Sequence, residues 1–207
     1  LAGYDLALGS PQPGDHIAVW GYSPTAHRGA AVAERHDAPL IRVEDAFLRS
    51  LHPGRTGDQA LGLVIDHQGA HFASGAPSDL ETLLATHPLD DTALLDAARG
   101  AVTRLRYSHL TKYAAIDPSL HAPQPGYVLV IDQTQGDASI QYAGANKDRF
   151  AEMLLDAQLE NPSARIVVKT HPETAQGLRD GHFGSDVTND QIQIEDQAIS
   201  PWDLLEG

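Results

Sequence analysis

Tyr127-Val128-Leu129-Val130-Ile131-Asp132-Gln133-Thr134-Gln135-Gly136-Asp137-Ala138-Ser139 decides the fold. Five consecutive apolar side chains follow Pro125-Gly126 and end at a carboxylate. A short apolar run bounded by turn residues reads as a buried strand. The polar stretch behind it carries Asp132 and Asp137 on either side of Gly136. A carboxylate held at a strand end is placed to act as a nucleophile toward a sugar carbon. The same residues also make an ordinary turn in which Asp137 bonds its own backbone. The residues alone leave both readings open.

Working outward, Asn146 to Leu159 places Phe150, Met153, Leu154 and Ala157 at i, i+3, i+4 and i+7, which predicts an amphipathic helix. Arg165 to Lys169 and Gln191 to Glu195 read as strands. Ser200-Pro201-Trp202-Asp203 reads as a helix start, with Ser200 as N-cap and Pro201 at the first helical position. The chain ends one turn later, so this second domain is expected to be incomplete. Upstream, His16 to Trp20 and Pro39 to Val43 read as strands around a helix from Thr25 to Arg35, with Thr25 as N-cap. Leu61 to Ile65 and Ala70 to Phe72, joined around Asp66-His67-Gln68-Gly69, predict a hairpin. Ser78 and Glu81 match a capping box. A helix from Thr92 to about Leu105 carries Leu94, Ala98, Ala101 and Leu105 on one face. The proline-rich stretch Asp117 to Gly126 is the linker expected between domains 1–120 and 121–207.

This alternation of strand and helix predicts an α/β protein with mostly parallel sheets. Ligands of such sheets lie beyond the carboxyl ends of the strands. Two further polar segments fall there. Val43-Glu44-Asp45-Ala46-Phe47-Leu48-Arg49-Ser50 offers a base and an anion clamp, or else a solvated loop with an ion pair. Lys169-Thr170-His171-Pro172-Glu173 ends a very apolar strand, and lysine beside histidine makes a phosphate-binding or proton-donating pair.

The bulk composition excludes several classes. The chain has 207 residues, 42% of them hydrophobic, enough to bury a core. Its 14 basic and 28 acidic residues give 14 − 28 = −14. That balance argues against nucleic acid as a partner and against a polybasic membrane patch. An anionic nucleotide sugar can bind only where local cations outweigh the global field. Cysteine is absent, which removes disulfides and thiolate chemistry and fits the cytoplasm. No apolar run reaches about 18 residues. Leu1-Ala2-Gly3-Tyr4 has neither the features of a signal peptide nor an initiator Met, so upstream residues are expected to be missing. The glycines form no G-x-G-x-x-G or P-loop, and the scattered histidines form no H-E-x-x-H, so neither a cofactor nor a metal is expected.

Taken as an ordered set, these segments resemble the capsule-polysaccharide β-Kdo transferase family, the KpsC-type proteins. The matching stretches are Trp20-Gly21 with His27-Arg28-Gly29, Val43 to Ser50, Leu63 to Asp66 with Pro77 to Glu81, Lys112-Tyr113, Val130 to Ser139, Lys169 to Glu173 and Ser200 to Glu206. They cover nearly the whole chain in order. Two departures stand out. Ala114 follows Lys112-Tyr113 where the family pattern has Asn, and the Ser/Gly-rich segment expected after Trp202 is absent. The resemblance implies a GT-B-like fold of two Rossmann-type domains, the second incomplete here. It implies a retaining glycosyltransferase that takes β-Kdo from CMP-Kdo to a lipid-linked Kdo acceptor, building the poly-Kdo linker of capsular polysaccharide. It also implies contacts with capsule assembly and export proteins, and a cytoplasmic site, peripheral at the inner membrane.

Carried over residue by residue, Asp137 in the Gln-x-x-Gly-Asp pattern is the implied nucleophile. Glu44 in Glu-Asp-x-Phe-Leu-Arg-Ser is the implied acid/base, and His171 in His-Pro serves the CMP phosphate. Lys169 would add positive charge there, with Gln133 and Ser139 lining the same loop. Arg49, then Arg28, are candidates for the Kdo carboxylate. Two alternatives stand beside this reading. One is an inactive nucleotide-sugar-binding or assembly module. The other, ranked lower, is an α/β hydrolase using Asp132 or Asp137, which needs a magnesium cluster of carboxylates.

Overall fold

The computed structural model describes residues 3–207, so the reading of Leu1-Ala2 lies outside the described residues. The described residues form a mixed α/β protein with two three-stranded sheets. It divides into two compact units. One holds the residues up to Glu44 together with Val64–Thr86; the other holds Asp45–Leu63 and His87–Gly207.

The first sheet runs β1 (Ile17–Trp20), β2 (Leu40–Asp45), β3 (Leu63–Asp66), in that order. β1 and β2 pair in parallel, Ile17 opposite Leu40. Between them lies α1 (Ala26–His36). Ala26 and Ala33 of α1, Val19 of β1 and Ile41 of β2 are buried. Thr25 stands at the N-cap, but it is in helical conformation and its side chain caps nothing. Its hydroxyl pairs with Ser23 at 3.3 Å instead.

The hairpin expected over 61–72 does not form. β3 ends at Asp66, and Ala70–Phe72 is turn and irregular chain. The cause is Asp66 itself, only 5% exposed. Its Oδ1 accepts the N–H groups of Gln68 and Gly69 at 2.9 and 2.7 Å, and its Oδ2 that of Asp79 at 2.9 Å. A side chain that captures the next backbone donors closes a tight turn and competes with ladder pairing. The expected capping box is present and opens α2 (Asp79–Thr86). Ser78 N–H donates to Glu81 Oε2 at 2.7 Å, and Glu81 N–H donates to Ser78 Oγ at 3.1 Å.

In the second unit α3 (Thr92–Tyr107) starts on Asp91, whose carboxylate accepts the Leu94 N–H. None of its residues is buried among the described residues, and Leu94 is 54% exposed. The second sheet runs β4 (Tyr127–Ile131), β5 (Arg165–Lys169), β6 (Ile192–Glu195), all parallel. Val130 sits opposite Val168, and Val168 opposite Ile194. After β4 come the short α4 (Ala138–Tyr142) and then α5 (Lys147–Glu160), capped by Asn146. Phe150 and Leu154 of α5 pack with Val130, Ile166, Val168, Phe183 and Ile192 into one core. Ile166, Val167 and Val168 have no exposed surface, as expected of a central parallel strand.

α6 (Pro172–Ala175) follows β5, and α7 (Pro201–Leu204) closes the chain. Ser200 precedes α7 as expected, yet makes no side-chain cap. Its buried hydroxyl meets His109 Nδ1 at 2.7 Å. Trp202 donates its indole N–H to the Leu110 carbonyl at 2.9 Å, and Tyr127 donates its hydroxyl to the Leu204 carbonyl at 2.6 Å. Residues 87–126, including the proline-rich stretch, belong to this unit, and Asp117 N–H donates to the Ala198 carbonyl at 2.9 Å. Among the described residues, no helix is long and apolar enough to cross a membrane.

Candidate functional site

Asp137, Lys169 and His171 lie at or just beyond the carboxyl ends of β4 and β5, in the second unit. The loop after β4 is fixed first. Asp132, 1% exposed, accepts N–H groups from Gln133 at 2.7 Å, His182 at 3.0 Å and Phe183 at 3.3 Å. A Cβ on Gly181 would lie 2.2 Å from Asp132 Oδ2, so only glycine lets the 181–183 segment come this close. Gln135 continues the zipper. Its N–H donates to the Asp180 carbonyl at 2.8 Å, and its amide to the Gly181 carbonyl at 2.6 Å. Both oxygens of Asp132 are thus committed to backbone donors. It is a structural clamp, and the hydrolase reading loses one of its two nucleophiles.

Asp137 occupies the next turn at the N-cap of α4. Its Oδ1 accepts the Ser139 N–H at 2.9 Å and the Ser139 hydroxyl at 2.6 Å. Its Oδ2 lies 3.6 Å from Arg179 Nη1. Burial pushes the Asp137 carboxyl up. The two bonds from Ser139 and the charges of Arg179 and Lys112 outweigh that effect and hold it below its ordinary value. Asp137 is therefore a carboxylate at neutral pH, with one oxygen anchored and the other facing a cation.

His171 is the N-cap of α6, ahead of Pro172. Its Nδ1 accepts the Glu173 N–H at 3.1 Å, which leaves the proton of the neutral ring on Nε2. Burial lowers its affinity for a second proton, and the carboxylates of Glu173 and Asp137 do not reverse that. A neutral imidazole with an Nε2–H can donate a hydrogen bond to a phosphate oxygen. The Tyr113 ring meets His171 edge to face at 5.9 Å. Burial, then the nearby carboxylates of Asp45 and Glu173, push the Tyr113 phenol up to about 12, so it stays protonated.

A cavity of about 360 Å³ opens beside these groups, lined by Tyr113, Gln133, Lys169, Thr170, His171 and Ile199 among others. That lies at the lower end of small-ligand sites, roughly 300–1,000 Å³. Lys169 lines it but is bonded to chain carbonyls, Gln197 at 2.6 Å and Glu195 at 3.4 Å. Burial lowers its pKa, against the pull of Glu195 and Asp196. Thr170 is buried, and its hydroxyl finds no partner among the described residues. Among those residues, no group of three His, Asp or Glu is arranged to hold a metal ion.

Arg49 is committed within its own loop. Its Nε meets Asp45 Oδ2 at 3.0 Å, and its Nη1 donates to Ser50 Oγ at 2.8 Å and to the Asp58 carbonyl at 3.0 Å. Glu44, at the end of β2, belongs to the first unit, as does Arg28 on the exposed side of α1. Gly21 has a φ of +37°, and a Cβ there would fall 1.7 Å from Glu44 Oε1. The positive φ is what favours glycine at 21.

Sequence reasoning missed Arg179 and gave Glu173 no role of its own. Glu173 is 7% exposed and lies 3.6 Å from Arg179 Nη1 and 3.7 Å from Arg55 Nε. The available signal was a buried-type position filled by Glu directly after His-Pro, which requires a cation nearby.

Residues 15–93 and 86–203 match a family model described as capsule polysaccharide biosynthesis protein. The chain is 37% identical over 197 residues to the capsule polysaccharide modification protein LipA of Neisseria meningitidis serogroup A, covering 92% of this chain and 28% of LipA. It is 34% identical over 152 residues to the lipopolysaccharide-processing protein LpsZ of Rhizobium meliloti, covering 71% of this chain and 34% of LpsZ. Among solved structures, Thermosulfurimonas dismutans KpsC, described as a beta Kdo 2,4 transferase, matches with a TM-score of 0.82 and 33% identity. That match covers 91% of this chain and 60% of the solved one. A second KpsC structure from the same organism, described as a beta Kdo 2,7 transferase, matches with a TM-score of 0.53 at 24% identity, a likeness of fold alone. The chain spans just over a quarter of the length of the LipA protein it matches.

Proposed function

The chain belongs to the capsule polysaccharide biosynthesis protein family, and from that premise we propose that it forms part of a retaining β-Kdo transferase using CMP-Kdo. The observation that carries this reading is the strand-end cluster of Asp137, His171, Lys112 and Arg179. A carboxylate kept charged there stands beside a neutral histidine and two cations. The likeness to a Kdo transferase structure supports it. The proposed architecture is GT-B-like, built of two Rossmann-type domains. The acceptor is a lipid-linked Kdo, met at the cytoplasmic face of the inner membrane.

Retention calls for two displacements. In the first, Asp137 Oδ2 forms a bond to the anomeric carbon of Kdo. The bond from that carbon to the CMP phosphate oxygen breaks, and its electron pair leaves with the phosphate. CMP is a good leaving group that needs charge stabilisation more than a strong acid; His171 Nε2–H and Lys112 supply it, with Lys169 behind them. In the second, the acceptor hydroxyl attacks the same carbon, its proton passes to Glu44, and the ester pair returns to Asp137. Gln133 and Ser139 line and brace the donor loop. For the Kdo carboxylate, Arg28 and Arg49 are the candidates; Arg49 is the less available, since its Nε and Nη1 are occupied.

The test is the mass of the intact protein after incubation with CMP-Kdo, with Asp137→Ala as control. A gain of one Kdo unit, lost in the variant, is the expected result. No gain in the natural full-length protein, under conditions where it transfers Kdo, rejects the covalent intermediate.

A further inference from the structure

Asp137 and Glu173 share one guanidinium. Arg179 Nη1 lies 3.6 Å from Asp137 Oδ2 and 3.6 Å from Glu173 Oε2. Its Nη2 donates to the Gln135 carbonyl at 2.6 Å, inside the loop that presents Asp137. The Arg179 backbone is held as well: its N–H and that of Leu178 donate to the Glu173 carbonyl at 3.3 and 2.8 Å. The segment beyond Arg179 bridges back to the same loop, Thr134 opposite Gly181. The Arg179 side chain is 20% exposed and the side chain of Glu173 9%, so solvent screens this arrangement poorly.

We propose that Arg179, anchored by Gln135 and Glu173, is the positioning residue that holds Asp137 Oδ2 in line for attack. The inference rests on the nucleophile reading of Asp137. Before attack Arg179 balances two carboxylates. When Oδ2 becomes an ester oxygen, the Asp137 charge is gone. Glu173, with Arg55 on its other side at 3.7 Å, then keeps the guanidinium where it was. Without Glu173 the cation would be left unpaired in a half-buried site at that step, which is costly. When the ester breaks, Arg179 is already placed to receive the returning carboxylate. Preorganised charge that need not move during reaction is the efficient form of electrostatic assistance.

The groups around Asp137 are Ser139, Lys112, Tyr113, His171 and Arg179, with Glu173 behind Arg179. Of these, Arg179 alone contacts both carboxylates, so its removal has a signature in the pH profile. The experiment measures kcat and KM for CMP-Kdo across the acidic range in the natural full-length protein and in Arg179→Gln, Arg179→Lys and Asp137→Ala. Arg179→Gln is expected to lower kcat roughly a hundredfold, the scale of one misplaced or unassisted reacting group. Its donor KM should change far less, and the acidic limb of kcat/KM should move to higher pH, because a carboxyl deprived of its cation protonates more readily. Arg179→Lys should leave the limb in place and restore only part of kcat, since an ammonium cannot span two carboxylates and a carbonyl as a fork does.

An unmoved acidic limb in Arg179→Gln, with the same proportional loss at every pH, overturns the inference. So does a raised KM at unchanged kcat, which assigns Arg179 to substrate binding. If Arg179→Gln fails to fold, Arg179→Lys decides, and wild-type kcat there overturns the positioning role. Asp137→Ala separates the two claims. Undiminished transfer in that variant removes the nucleophile reading itself, whereas abolished transfer beside an unmoved Arg179→Gln profile removes only the inference about Arg179.

Discussion

Each unit ends a strand on a buried aspartate, and the two aspartates have the same bonds but different neighbours. Asp66, the last residue of β3, accepts three backbone N–H groups, from Gln68, Gly69 and Asp79. Asp132, after β4, also accepts three, from Gln133, His182 and Phe183. In both places a carboxylate replaces the ladder partners that the strand no longer has and sets the direction of the next loop. The two loops then diverge. The loop after Asp66 leads to Asp79, which pairs at the surface with His67 at 2.9 Å. The loop after Asp132 leads to Asp137, half-buried between Ser139 and Arg179, with His171 and Lys112 close by. A buried aspartate at a strand end is therefore scaffold in both units. In the proposed mechanism the chemistry falls to the second carboxylate, the one left with an oxygen outside the backbone network.

Substitutions at four positions test that distinction. The largest effect is expected at Asp137. Asp137→Ala should cut Kdo transfer roughly 10⁴-fold or more, as loss of a nucleophile does, while near-ultraviolet circular dichroism stays native. A loss of tertiary signal in parallel with activity would place Asp137 with the scaffold aspartates. Asp132→Ala should do the reverse. It orphans three N–H donors, one buried and two part-buried, at about 1–3 kcal/mol each, for a loss of roughly 3–5 kcal/mol in urea unfolding. Full stability in that variant would break the parallel with Asp66.

His171 gives a smaller, pH-dependent effect. His171→Ala should weaken donor use roughly 10- to 100-fold, the range of one hydrogen bond to a charged group. Its folded pKa lies below the ordinary 6.5 because burial disfavours the cation. The unfolded chain therefore binds a proton that the folded chain refuses. Its contribution to stability is level above 6.5 and is lost as pH falls from there toward the folded value. Melting temperatures of the natural protein should thus decline over that window, and His171→Asn should flatten the decline. Parallel curves for the two would mean that His171 is not buried as described. Smallest is Ser78→Ala, which removes one side of the capping box at the start of α2 and should cost about 1 kcal/mol.

Much of the fold was legible in the sequence because it is written in short-range patterns. The apolar runs at 127–131 and 165–169 are strands, and the spacing of Phe150, Leu154 and Ala157 is the buried face of α5. Where a polar side chain had a choice of partner, the sequence misled. Asp66 could cap, pair or turn, and its choice of the Gln68, Gly69 and Asp79 donors replaced the expected hairpin. Ser200 could cap α7 and instead meets His109, a residue 91 positions earlier. The site was legible to the same degree. Asp137 and His171 announce themselves by lying just past strands, and the structure brings them close enough to influence each other's charge. Arg179 lies 42 residues beyond Asp137, in a segment with no distinctive pattern, and only the zipper between 134–135 and 180–181 brings it there. Arg49 shows the opposite case. Its place after a strand drew attention, but its nitrogens serve Asp45, Ser50 and Asp58.

The bond from the Trp202 indole to the Leu110 carbonyl has a practical consequence. The chain has two tryptophans, and they fall one to each unit: Trp20 on β1, 46% exposed, and Trp202 on α7. A hydrogen-bonded indole and a half-solvated one emit at different wavelengths and are quenched to different extents. Trp20→Phe and Trp202→Phe variants would turn the protein into a pair of optical sensors, one per unit. Melting or ligand titration could then be followed in either half, without an added dye.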